Sequence, residues 1–191
     1  MENRTVALLI ALFLAVLFLS TVGSYMTGYS TLNLNDLTLK HYPYPFLKNS
    51  NYNSMYIVIP DESTLSEEKI AGTIAKGLQL TRPLPPKIIR VSQLPAQNYN
   101  LILVGDACTN PLIKLKSENG CTFDLKPGQG LLSLFTNSKT STLVVSGYDL
   151  ESIQKAANVL ANHKLYPLKG REIIVSGNIN NHYSYSLIYN N

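Results

Sequence analysis

The sequence predicts an α/β domain: a mainly parallel sheet flanked by helices, preceded by an N-terminal signal or anchor helix. Three observations carry this expectation. Apolar runs of strand length recur along the chain, segments of helical period alternate with them, and one unbroken apolar run stands at the amino terminus.

After Met1–Thr5 comes a run from Val6 to Leu19 of fourteen Ala, Val, Leu, Ile and Phe residues, and no charge follows until Asp36. A run of that length suits a signal-peptide core, and a spanning helix needs roughly 20 apolar residues. Extension through Gly23 brings it close to that length, so residues 1–24 read as either a signal peptide or a membrane anchor. Arg4 holds the near end inside, and no Lys or Arg sits in the flank beyond. Both readings place Tyr25 onward outside the cytoplasm, on the cell surface, membrane-anchored or secreted.

Residues 25–40 form a lead-in segment, rich in Tyr, Asn, Ser and Thr, in which alternating leucines (Leu32/Leu34, Leu37/Leu39) allow a short strand. Residues 41–191 form the α/β domain. Met55 to Pro60 is a buried-strand run. Thr64-Leu65-Ser66-Glu67 fits a capping box, and Ile70, Ile74 and Leu78 continue a helix to about Leu80, before Pro83, Pro85 and Pro86. Lys87–Val91 and Leu101–Gly105 are further strands. Pro111 suits the first turn of a helix running toward Glu118. Gly130–Phe135 and Thr142–Ser146 are strands around a polar turn. Asp149 caps a helix whose apolar face is Leu150, Ile153, Ala157, Leu160 and Ala161. Glu172–Val175 is a strand, and Tyr183, Tyr185, Leu187 and Tyr189 alternate in a final edge strand.

Composition excludes one large class. The net charge is +4, but the sixteen basic residues are dispersed, with no more than pairs such as Lys114 and Lys116. Nucleic-acid binders concentrate basic charge on a stripe, so no nucleic-acid partner is expected. The two cysteines, Cys108 and Cys121, lie in the exported part, where an even count reads as one disulfide; two free buried thiols are the alternative.

The candidate sites are few. Asp106 follows a buried strand, where open α/β sheets place ligands, and is the one ligand-binding candidate; a turn or cap role is the competing reading. Ser146-Gly147-Tyr148-Asp149 lacks the flanking glycine of a nucleophile elbow, and a strand-to-helix turn accounts for it. Lys126-Pro127-Gly128-Gln129-Gly130 precedes a strand and reads as a turn. Asp61, Glu62, Glu67 and Glu68 surround a helix start and favour its dipole. A calcium ion could use these carboxylates but no EF-hand spacing is present, no zinc spacing joins the thiols to His41, His163 or His182, and no cofactor is expected. No catalytic constellation is found, and the expectation is a protein that is not an enzyme. The twelve tyrosines can stack on sugars or pack against neighbours.

Four stretches together resemble the archaeal S-layer protein family: Tyr42-Pro43-Tyr44-Pro45-Phe46-Leu47 leading into MYIVIP; NLILVGDACTNPLI from Asn100 to Ile113; the pair Cys108 and Cys121; and the strand–helix–strand from Thr142 to Val175. They cover about residues 42–175. The chain departs from the family at Asp106, where Gly is frequent, and in lacking the middle domains of lattice-forming members. The sequon Asn3-Arg4-Thr5 is the only one. The resemblance implies a structural protein of the cell envelope: an S-layer-like subunit or accessory that assembles with other S-layer-type proteins or itself. It would also meet the membrane if residues 1–24 are retained. An extracytoplasmic module binding sugar or peptide is the alternative.

Overall fold

The computed structural model describes residues 33–47, 55–79, 86–117, 120–177 and 185–190. The signal or anchor segment, most of the lead-in, Pro83, Pro85, Glu118 and Tyr183 lie outside them. The chain divides into units 1–33 and 34–191, and the fold below belongs to the second. Among the described residues no helix is long and apolar enough to cross a membrane.

Seven strands form one sheet: β1 (Met55–Ile59), β2 (Lys87–Arg90), β3 (Asn100–Val104), β4 (Gly130–Thr136), β5 (Ser141–Gly147), β6 (Glu172–Ser176) and β7 (Ser186–Asn190). Their order is β2-β1-β3-β5-β4-β6-β7. β1 pairs parallel with β2 and β3, and β3 with β5. The pairs β4–β5, β4–β6 and β6–β7 are antiparallel. The sheet is therefore mixed, mostly parallel through β2-β1-β3-β5 and antiparallel toward β7. Five strands share a direction, and only β4 and β7 oppose it. The reason is local. Asn137 Oδ1 accepts from the Lys139 and Thr140 amides at 2.8 and 2.7 Å, closing a turn too short for a parallel crossover. β4 is thus folded back between β5 and β6.

Helix α1 (Leu65–Gln79) joins β1 to β2, and α3 (Leu150–Ala161) joins β5 to β6. At the start of α1 the capping box is reciprocal. The Thr64 amide donates to Glu67 Oε2 at 2.7 Å, and the Glu67 amide to Thr64 Oγ1 at 3.3 Å. α3 is capped by Asp149, which accepts from the Ser152 amide at 2.8 Å and hydroxyl at 2.6 Å. Both helices lie on one face of the sheet. Ile70, Ile74 and Leu78 of α1 and Ile153, Ala157 and Leu160 of α3 share a core with Ile57, Ile102, Leu132, Leu143 and Ile173. The helices cross closely at Gly77, where a Cβ would stand 2.6 Å from the Ala161 backbone.

Two segments differ from expectation. Among the described residues the lead-in leucines form no strand: Leu34 and Leu39 open 310 turns, Leu34–Asp36 and Leu39–His41, and Leu37 lies between them. Leu37 and Leu39 are buried in the main core, within the unit that runs from Leu34. The Leu39 amide donates to the Gly170 carbonyl at 2.8 Å. The helix expected from Pro111 toward Glu118 is one short turn, α2 (Pro111–Lys114). Its only fully buried side chain is Ile113, and Leu115 is 79% exposed, so no apolar stripe sustains a longer helix.

The opposite face of the sheet is covered differently. Val58, Leu103 and Val144 pack there against Ala107 and Ile113, with Phe123 and Phe135 beside them. All but Phe135 of these covering groups belong to the β3–β4 connection, which the Cys108–Cys121 disulfide closes on itself with Cα atoms 5.0 Å apart.

Candidate functional site

β3 ends at Val104, and Gly105 after it, with a φ of +129°, takes the chain off the sheet. Asp106 follows, and its Oδ1 accepts from the Cys108 amide at 2.7 Å and the Thr109 amide at 2.9 Å. These bonds make Asp106 the hub of the turn that leads to Cys108. Asn110 completes that corner: fully buried, it donates to the Val104 carbonyl at 3.2 Å and caps α2 by accepting from the Leu112 amide at 3.1 Å. The Asp106 carboxylate thus has its strongest partners inside its own turn.

The other singled-out residues also have local roles. Gly147 sits against α3, where a Cβ would lie 2.6 Å from the Ile153 amide nitrogen. Ser146 is fully buried, and its hydroxyl has no hydrogen-bond partner among the described residues. In Lys126–Gly130, Gly128 takes a φ of +81°, and the Gln129 amide donates to the Lys126 carbonyl at 3.0 Å, a turn as expected. Asp61 accepts from the Ser92 hydroxyl at 2.7 Å and amide at 2.9 Å; those hydrogen bonds hold its carboxyl below the ordinary range. Glu68 meets Arg90 at 3.1 Å in an exposed ion pair. Three of the four acidic residues expected at this helix start are thus divided among a cap (Glu67), a loop clamp (Asp61) and an ion pair (Glu68). Among the described residues no group of three His, Cys, Asp or Glu is placed to hold a metal ion. Several tyrosines pack on rings: Tyr42 on His163 and Tyr56 on Tyr99, both edge-on at 4.9 Å, and Tyr166 near Tyr185 at 5.9 Å. Burial lowers the pKa of His163 below the ordinary 6.5.

A cavity of about 410 Å³ opens where the disulfide-closed connection runs out over β4 and β6. Its floor follows from strand register. Ser133 lies opposite Glu172 and Leu131 opposite Ile174, and Phe135, two residues along β4 from Ser133, shares their face. Ser133 is 5% exposed, and its hydroxyl donates to Glu172 Oε2 at 3.5 Å. The wall is made by Lys116, Ser117, Phe123, Asp124 and Leu125. Lys116 Nζ stands 5.5 Å from the centre of the Phe135 ring. Phe123 and Asp124 are both left-handed, with φ of +53° and +56°, an unfavourable conformation for two successive residues with side chains.

None of these cavity residues was singled out by sequence reasoning. The signal was present in Leu131-Leu132-Ser133-Leu134-Phe135: alternation puts Ser133 on the same face as Leu131 and Phe135, a hydroxyl among apolar neighbours. The wall carries no such periodicity.

No family model matches the chain, and no curated protein matches it. A solved structure it is similar to is a family GH115 4-O-methyl-α-glucuronidase with specificity for decorated arabinogalactans. The TM-score is 0.37 at 15% identity, over 70% of this chain and 17% of that one. The chain thus spans under a fifth of that protein's length, and no functional inference follows from the likeness.

Proposed function

We propose that this protein is a structural or interaction component of the archaeal cell envelope, an S-layer-like subunit or an accessory docking to a longer one. It works outside the cytoplasm by protein–protein assembly rather than by catalysis. The observation that carries the reading is the sheet edge at β7. Among the described residues β7 pairs only with β6, and Ile188 stands 46% exposed on it. A strand with one side unpaired offers backbone donors and acceptors to a neighbour's strand. The disulfide supports an oxidising compartment. Quantitative mass spectrometry of the detergent-resistant envelope from the source cells tests the reading. High copy number, with a larger surface protein co-purifying, is the expected result. Low copy number with ready release by detergent counts against it.

The second reading, an extracytoplasmic module binding sugar or peptide, is favoured by the cavity beside Ser133 and Glu172. Its recognition would lie there rather than at Asp106.

A further inference from the structure

We infer that the cavity between the Phe123–Leu125 wall and the β4–β6 floor is a binding site for a neutral saccharide, with Asp124 and Glu172 as the carboxylates that receive its hydroxyls. The inference rests on the second reading above and is independent of assembly through β7.

Size comes first. At about 410 Å³ the cavity falls within the range of small-ligand sites and is open to solvent on one side. Chemistry then narrows the occupant. Phe123 offers phenyl surface suited to the C–H face of a pyranose ring. Asp124 and Glu172 are acceptors, and Ser133 and Lys116 are donors. A sugar hydroxyl both donates and accepts, so it can use both sets at once.

Charge decides between ligand classes. A cation would be drawn to the two carboxylates but meets Lys116 beside Phe135, where the ammonium already uses the ring face. An anion would be drawn to Lys116 but meets two carboxylates. A neutral polyhydroxylated ligand carries neither penalty. The site is also held in shape. Ser133 is buried in the floor, bonded to Glu172 across the strands. The wall begins two residues beyond Cys121, which the disulfide ties to Cys108. The left-handed pair Phe123 and Asp124 holds a ring and a carboxylate at the rim at a conformational cost, a feature that clusters at ligand sites.

The test uses the full-length chain in detergent, titrated with neutral di- and trisaccharides of glucose, galactose and mannose and, separately, with an alkylamine. Binding is read by calorimetry. Glu172→Gln keeps the side-chain shape, and Asp124→Asn keeps a residue that tolerates a left-handed backbone. Each is expected to weaken saccharide binding about tenfold, the loss of one charge-assisted hydrogen bond. Asp106→Asn is expected to leave binding unchanged, and circular dichroism checks that all three variants fold. Wild-type protein that binds no saccharide overturns the inference, as does binding of the alkylamine alone. Saccharide binding lost in Asp106→Asn but kept in Glu172→Gln and Asp124→Asn overturns the location. None of these outcomes bears on the envelope copy number that tests the assembly reading.

Discussion

On one face of the sheet, α1 and α3 lie side by side, close enough at Gly77 and Ala161 that no Cβ fits between them. That face holds the larger core, spanning β1, β3, β4, β5 and β6. On the other face the cover is mainly the β3–β4 connection, its helix only four residues long and held by a disulfide, with Val91 and Leu94 of the β2–β3 connection beside it. The core beneath it is small, and past Leu125 it gives way to a cavity. The two covers differ in what they contribute to stability. Long amphipathic helices bury continuous apolar area and specify the fold. A short clamped loop buries little, and leaves polar and aromatic groups facing solvent where a ligand can reach them.

The comparison can be broken most severely from the helix side. Ile74→Ala in α1 empties part of the main core and is expected to cost about 3 kcal/mol in denaturant unfolding. A loss under about 1 kcal/mol would mean that the helix face does not hold the fold. Removing the clamp with Cys108→Ser and Cys121→Ser together is expected to cost up to about 3 kcal/mol on the chain-entropy account of a loop this size. Hydrogen exchange should show faster opening across the β3–β4 connection, with α3 still protected. Equal deprotection of α3 would mean that the two faces do not behave separately.

Smaller effects sharpen the picture. Asp149→Ala removes the cap of α3 and is expected to cost about 1 kcal/mol. The Ser152 hydrogen bonds lower the Asp149 pKa below its ordinary 3.8. The unfolded chain therefore binds a proton first, and this contribution is complete above pH 3.8 and lost as pH falls through the lower folded value. His163 gives a second window by another cause. Burial disfavours its imidazolium, so its contribution is complete above 6.5 and is lost as pH falls from 6.5 through the lower folded value. His163→Gln should flatten the melting temperature across that window; an unchanged slope would assign the pH dependence to other groups.

Most of the helix face was legible in the sequence. Apolar spacing announces Ile70, Ile74 and Leu78, Thr64 and Glu67 form a known start signal, and Asp149 stands where a cap belongs. The strands β1, β3 and β5 were legible as apolar runs, but their order and the reversal of β4 depend on pairings between distant residues. Leu37 and Leu39 were misread because two leucines in alternation look alike in a strand and in an irregular segment with 310 turns packed on a core. The two cysteines announced a disulfide. The cavity was legible only at Ser133. Asp124 and Glu172 come together through β4–β6 register and the path of a loop, and neither leaves a local pattern.

On the proposed reading the molecule associates through its β7 edge while the helix face holds the fold. Leu187 and Tyr189 pack against the main core, so deleting this strand would disturb folding as well as association. Ile188→Lys places a charge on the exposed side alone, a substitution that discourages edge pairing. Sedimentation of the full-length protein with and without the substitution tests the claim most directly. The account predicts loss of association at an unchanged melting temperature. Association that persists in Ile188→Lys would contradict it.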